Sequence, residues 1–256
     1  MQKALAFLLL LIIPFAAFSQ QDEDLFGPLG GTATKQGFLI GAQGGYDVPF
    51  GDMAKGFGPS WRVGGSLQYR LQNNWQFGVK GDFLFGTDLR DDSLLWNIKD
   101  ASGFYINDNG RRSGMEIAER GYMLALTAGK MFPFSKAYPN RGLLVQLTAG
   151  FMQHKVFYFN LQDYFSQLRD DYKKGYDRLT NGVFLEPYVA YQHFSESGLV
   201  NFHVGVGATL GFTAGRRDWQ FDLSRPYKDS RFDGLFGIRA GWYFAIYKKR
   251  SEDIFY

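Results

Sequence analysis

The chain has no cysteine among its 256 residues. That excludes a disulfide scaffold, a thiolate zinc site, a cysteine nucleophile and a lipid-modified N-terminal cysteine together. Histidine is almost as scarce: His154, His193 and His203 share no ligand spacing, so no metal site is expected. Neither sign of charge dominates. The 28 basic and 25 acidic residues leave a net +3, too balanced for a nucleic-acid partner. No cofactor is expected either.

What is present is apolar and aromatic. Hydrophobic residues make up 45%, too many for a disordered chain, and 26 Phe, 15 Tyr and 32 Gly stand out. Lys3, the apolar run Leu5 to Phe18 and the small residues Ala17 and Ser19 predict a secretory signal peptide over 1–19, cleaved before Gln20. The run is short of the roughly 20 residues of a spanning helix, and no later stretch comes near one. The rest is therefore expected to be a soluble extracytoplasmic protein or a membrane β-barrel.

A period of two decides between them. Trp61, Val63, Gly65, Leu67 and Tyr69 share one face, and Arg62, Gly64, Ser66, Gln68 and Arg70 share the other. After Gln72-Asn73-Asn74 the pattern restarts with Trp75, Phe77, Val79, Gly81, Phe83 and Phe85, which predicts a hairpin. Similar stripes begin at Phe38, Tyr122, Leu143, Leu185, Val200 and Phe236, giving eight strands of about 10–14 residues, a length that suits a tilted bilayer crossing. The apolar stripes carry no charge. The opposite faces are small and polar, with charges at Arg62, Arg70, Lys80, Asp82, Glu186 and Arg239, sparser than the roughly 25–35% of a soluble surface. Aromatics gather near the stripe ends, as interfacial girdles do. The fold expected is all-β: a transmembrane antiparallel up-and-down β-barrel with small side chains in the lumen.

Short links near 72–74, 133–141 and 194–198 alternate with long ones near 48–59, 87–119, 159–181 and 214–233. In an outer-membrane barrel the short ones are periplasmic turns and the long ones extracellular loops. The expected organisation is a signal peptide (1–19), a periplasmic segment (20–35), the barrel (36–247) and a periplasmic tail (248–256). Loop 87–119 is long enough to hide a further hairpin.

The leader followed by Ser19-Gln20-Gln21-Asp22, the aromatic- and glycine-rich strands and the terminal Ile254-Phe255-Tyr256 resemble outer-membrane barrels of the Bacteroidota, the broad PorT-like and OmpA/OmpX-like group. The resemblance covers 36–247 and implies bacterial outer-membrane localisation. It specifies architecture rather than activity, since some relatives serve protein secretion.

Three groups of residues are candidates for function. The lumenal charges Arg62, Lys80, Asp82, Glu186 and Arg239 read as an ion-paired filling of the barrel, with a polar pore as the alternative. The loop residues Trp96, Tyr105, Tyr164, Arg169, Tyr172, Tyr176, Arg216, Arg217 and Trp219 have the composition of interface anchors, for a protein partner or lipopolysaccharide phosphates. His193-Phe194-Ser195 has the His-x-Ser spacing of outer-membrane lipid A deacylases, but Gly205-Val206-Gly207 offers no orienting carboxylate and the strand count puts it at a periplasmic turn. Pro187, on an apolar stripe, predicts a bulge, or less simply a lateral opening. The expectation is a non-catalytic structural or interaction protein, in contact with outer-membrane lipid and lipopolysaccharide and serving an envelope protein complex through its loops. A channel for small or apolar molecules and a lipid A-modifying hydrolase are the alternatives.

Overall fold

The computed structural model describes residues 34–91, 93–135, 138–159, 165–195 and 199–247. The expected signal peptide, nearly all of segment 20–35, the tail 248–256 and Tyr164 lie outside the described residues. In chain order the elements are β1 (Gly37–Gly51), α1 (Met53–Gly56), β2 (Ser60–Arg70), β3 (Trp75–Gly86), β4 (Tyr105–Ile106), β5 (Arg112–Ser113), β6 (Glu116–Ser135) and β7 (Tyr138–Phe159). Then follow β8 (Thr180–Phe194), β9 (Asn201–Gly215), β10 (Arg217–Gln220), β11 (Arg225–Tyr227) and β12 (Ser230–Tyr247). Single 3-10 turns stand at Trp96–Ile98, Ser166–Leu168 and Tyr172–Gly175. No described helix is long and apolar enough to cross a membrane.

Eight strands close a barrel in the order β1-β12-β9-β8-β7-β6-β3-β2, each antiparallel to its neighbours. The seam joins the first strand to the last, from Gly37 opposite Tyr247 to Gly51 opposite Asp233. A closed ring leaves no unpaired strand edge. The period of two sets the faces. On β2, Trp61, Val63 and Leu67 are exposed while Arg62, Ser66, Gln68 and Arg70 are buried. The same alternation runs along every ring strand, so the barrel is apolar outside, and its interior combines buried polar and charged groups with apolar side chains such as Met123, Leu144 and Phe184.

The hairpins define a turn end and a loop end. At the turn end, Asn74 takes a left-handed φ of 65°, a conformation its short polar side chain tolerates, and the Leu71 N–H donates to the Trp75 carbonyl at 2.8 Å.

The strands outrun the expected 10–14 residues: β6 has 20, β7 has 22 and β12 has 18. The β6–β7 link contracts from 133–141 to residues 136–137. Outside an apolar layer a paired strand does not need an apolar stripe, so the pattern fades before the pairing does. Loop 87–119 does hold a hairpin, β4–β5, and loop 214–233 holds β10–β11, but neither joins the ring. Pro187 makes no bulge. It faces Leu147 of β7, and the β8–β9 pairing is interrupted there but resumes in the same register, from Leu185–Leu210 to Tyr188–Gly207. The missing N–H removes a rung without inserting a residue.

On β6 the outward stripe runs Arg120, Tyr122, Leu124, Leu126, Ala128, Lys130, an apolar stretch with one cation at each end. Arg120 stands opposite Phe85 and Lys130 opposite Trp75, so aromatic residues flank both cations.

Candidate functional site: the filled lumen and its cap

The middle of the lumen is an ion-paired layer. β8 contributes Glu186, whose carboxylate meets Arg62 Nη1, Lys80 Nζ and Arg239 Nη1, each at 2.7 Å. Thr209 of β9 donates its hydroxyl to the same group at 2.7 Å. Asp47 of β1 takes Arg62 Nε at 2.8 Å and Arg239 Nη2 at 3.1 Å. Asp82 lies 3.3 Å from Lys80 and 3.7 Å from Arg62, and Gln43 donates to it at 2.5 Å. All six charged groups are buried. Three cations thus face three anions, and the desolvated charge is neutralised within the layer. The structure brings together the five charges singled out above and adds Asp47 and Thr209. Asp47 escapes the sequence reading because it borders the expected link near 48–59; the strand continues through exposed Val48, which puts Asp47 inward.

Glycine makes room for these long side chains. A Cβ on Gly64 would lie 2.2 Å from Asp82 Oδ1 and from the Gly81 carbonyl, and one on Gly241 would lie 2.3 Å from His203 Nε2. The gap left among Gln43, Arg62, Lys80, Tyr188, His203 and Tyr243 is about 20 Å³. That is space for about one water molecule, not a passage.

Layers on either side seal the barrel. Towards the turn end, Leu39, Met131, Phe194 and Tyr243 pack together, Arg70 lies 4.4 Å over the Phe194 ring, and Gln76 and Gln192 exchange side-chain hydrogen bonds. Towards the loop end, Asp233 gathers His154 Nε2 at 3.1 Å, Thr213 Oγ1 at 2.5 Å and Arg231 at 3.1 Å. His203 hydrogen-bonds Tyr188 at 2.7 Å. Both histidines point inward, and among the described residues no cluster of ligating side chains could hold a metal ion.

Above this the loops fold into a cap with its own core: Met53, Phe57, Leu84, Leu94, Leu95, Ile98, Val156, Phe165, Leu168, Tyr176 and Leu235. Polar ties lock it. Arg178 bonds Asp222 at 2.6 Å and Asp91 at 3.1 Å. Burial opposes its charge, but the hydrogen bond and charge of Asp222 outweigh this and hold the guanidinium above its ordinary pKa. Arg217 grips Asp177 through two bonds, at 2.8 and 2.5 Å.

The cap engages several of the candidate loop residues in its own packing. Tyr176 is inside the core, its hydroxyl accepting from Asn97 at 2.9 Å. Tyr105 is half-buried against that core and Arg217 is committed to Asp177. Composition does not distinguish a core aromatic from a contact aromatic. Trp96, Tyr172 and Trp219 remain exposed, Arg169 lies 3.7 Å from Asp108, and Arg216 bonds Asn181 at 2.6 Å.

The His193-Phe194-Ser195 segment is at the turn end. The His193 ring packs against outward Tyr191 and Phe202, whereas Ser195 is buried and its Oγ accepts the Val200 N–H at 3.0 Å.

A closed eight-stranded antiparallel barrel, apolar outside and filled within, is the class this geometry defines. No protein-family model and no curated sequence matches the chain. Among solved structures it is similar to Ail, the attachment invasion locus protein of Yersinia pestis, at 13% identity, 82% of this chain, 100% of that one and a TM-score of 0.40. Neisserial surface protein A is similar at 12% identity, 82% of this chain, 98% of that one and 0.41. The outer membrane protein OprG of Pseudomonas aeruginosa is similar at 12%, 85%, 100% and 0.35. Likenesses this distant carry nothing about activity.

Proposed function

We propose that this chain is a bacterial outer-membrane barrel that neither conducts nor catalyses, and that it holds a folded cap at the cell surface for an envelope protein complex. The observation that carries the reading is the inversion of polarity: exposed Phe, Leu, Val and Trp encircle a lumen packed with paired charge. A water-exposed surface rarely tolerates apolar patches beyond a few hundred Å². From Arg120 to Lys130 the strand runs roughly 33 Å at 3.3 Å per residue. At a tilt of about 40° that projects to about 25 Å, the height of an outer-membrane apolar band. The loop end then faces outside, where Trp96, Tyr172 and Trp219 offer aromatic contact area.

Two measurements test the reading. In planar bilayers the protein should give no stable conductance; a persistent channel would favour transport instead. Purified from native membranes, the wild type should bring a partner that Trp96→Ala/Tyr172→Ala/Trp219→Ala does not. An unchanged partner set with a folded triple variant would move the contact off the cap.

A further inference from the structure

We propose that Arg120 and Lys155 form a binding site for the phosphate of a lipid in the loop-side leaflet, which in an outer membrane is the phosphorylated glycolipid lipopolysaccharide. The inference rests on the membrane reading above. Arg120 of β6 stands directly opposite Lys155 of β7, and the parity of both strands turns the pair outward, half-buried. Like charges opposite one another across a ladder repel and destabilise the pairing. Among the described residues no carboxylate lies within 4 Å of either cation to pair with it: Glu119 points into the lumen and is buried, and Glu116 is four residues on, about 13 Å along the strand. An anion from outside the chain completes the arrangement.

The site is also shaped. The Arg120 guanidinium lies 5.0 Å over the Phe159 ring and 6.0 Å from those of Phe85 and Phe157, and one N–H is fixed on the Glu119 carbonyl at 2.7 Å. Aromatic walls on a membrane protein mark the headgroup level, where phosphates lie. Guanidinium supplies a two-toothed phosphate grip and ammonium a compact second charge. The basic belt continues across β8. Arg216 is held on Asn181, and Asn181 bonds Gln153, two positions from Lys155 on the same face of β7. At the other end of the same β6 stripe, Lys130 faces Val145 and sits over Trp75 and Phe132, a cation with no second cation opposite.

The full chain would be reconstituted in phosphatidylcholine nanodiscs doped with lipid A, dephosphorylated lipid A or phosphatidylglycerol, and retained lipid counted by native mass spectrometry. Wild type should retain lipid A about tenfold better than its dephosphorylated form, the scale of one charge-assisted grip. Arg120→Gln/Lys155→Gln should lose that preference, Arg120→Lys should keep most of it, and Lys130→Gln should keep all of it. Heat-modifiable gel mobility certifies folding of each. Equal retention by the folded double variant overturns the site, and equal retention of phosphatidylglycerol by wild type overturns the glycolipid assignment. A wild type that enters none of the discs refutes the membrane reading, a different failure from insertion without lipid preference.

Discussion

Glu186 is the test of whether the lumen is dry. Its carboxylate is 1% exposed and neutralises three cations at once. Glu186→Gln keeps the shape but leaves Arg62, Lys80 and Arg239 facing only Asp47 and Asp82. Removing one partner of a buried ion pair costs about 3–5 kcal/mol. The expected loss here is near the lower figure, because the Gln carbonyl still accepts one bond and Asp47 still holds both arginines. Adding Lys80→Met restores the charge balance, so the double variant should recover about 1–2 kcal/mol relative to the sum of the two single variants, within the range of coupling between contacting residues. Urea unfolding in liposomes, followed by gel mobility, measures all three. A loss below about 1 kcal/mol for Glu186→Gln would mean that water screens the layer. Strict additivity would mean that Lys80 and Glu186 are not coupled. Either result would refute the sealed lumen.

Leu126 faces out at the middle of the β6 stripe, so Leu126→Arg should cost about 2–4 kcal/mol and impair membrane assembly, against little effect from Lys130→Arg at the stripe's end; equal assembly yields would contradict the face assignment. Phe165 is buried in the cap core, and Phe165→Ala should lower cap stability by about 3–5 kcal/mol, opening 165–178 to protease while barrel mobility on gels is unchanged. Asp108 is held below the usual carboxylate range chiefly by the Ser166 N–H, with the Ser166 hydroxyl and Arg169 assisting. A depressed carboxyl stabilises the fold above its unfolded pKa and loses that contribution as pH falls through the folded value. Hydrogen exchange at the Ser166 amide should therefore stay slow from pH 7 down to the ordinary carboxylate range and show lost protection below it, after correction for intrinsic rates; protection lost at pH 6 would contradict this.

The barrel was legible because lipid contact imposes a rule on every second residue, and Trp61 to Tyr69 or Trp75 to Phe85 obey it without exception. Strand ends were less legible. Past the apolar layer the alternation carries no hydrophobic signal, so Glu119 and Asp233 fall within the expected loops 87–119 and 214–233 although both lie inward on ring strands. The charge layer was half readable: parity turns Lys80 and Glu186 inward, but their meeting at 2.7 Å across 106 residues depends on ring order and shear. The cap was hidden altogether. Its core is assembled from α1, three loops and strand ends, and no periodicity marks Leu95, Phe165 or Tyr176 as partners.

The seam between β1 and β12 has a kinetic consequence. These strands are the chain's most distant neighbours in sequence, and contacts of high separation form late. Asp47 sits on one side of that seam and Arg239 on the other. Until the sheet closes, Arg62 already holds Asp47 within the β1–β2 hairpin but Arg239 lacks it, and the open edge stays hydrated rather than sticky. A slip of one rung would turn Asp47 towards lipid and an apolar neighbour towards the arginines. The ion pair thus acts as a latch that engages only in the correct register, and zipping the ring shut and quenching its last lumenal charge are one event.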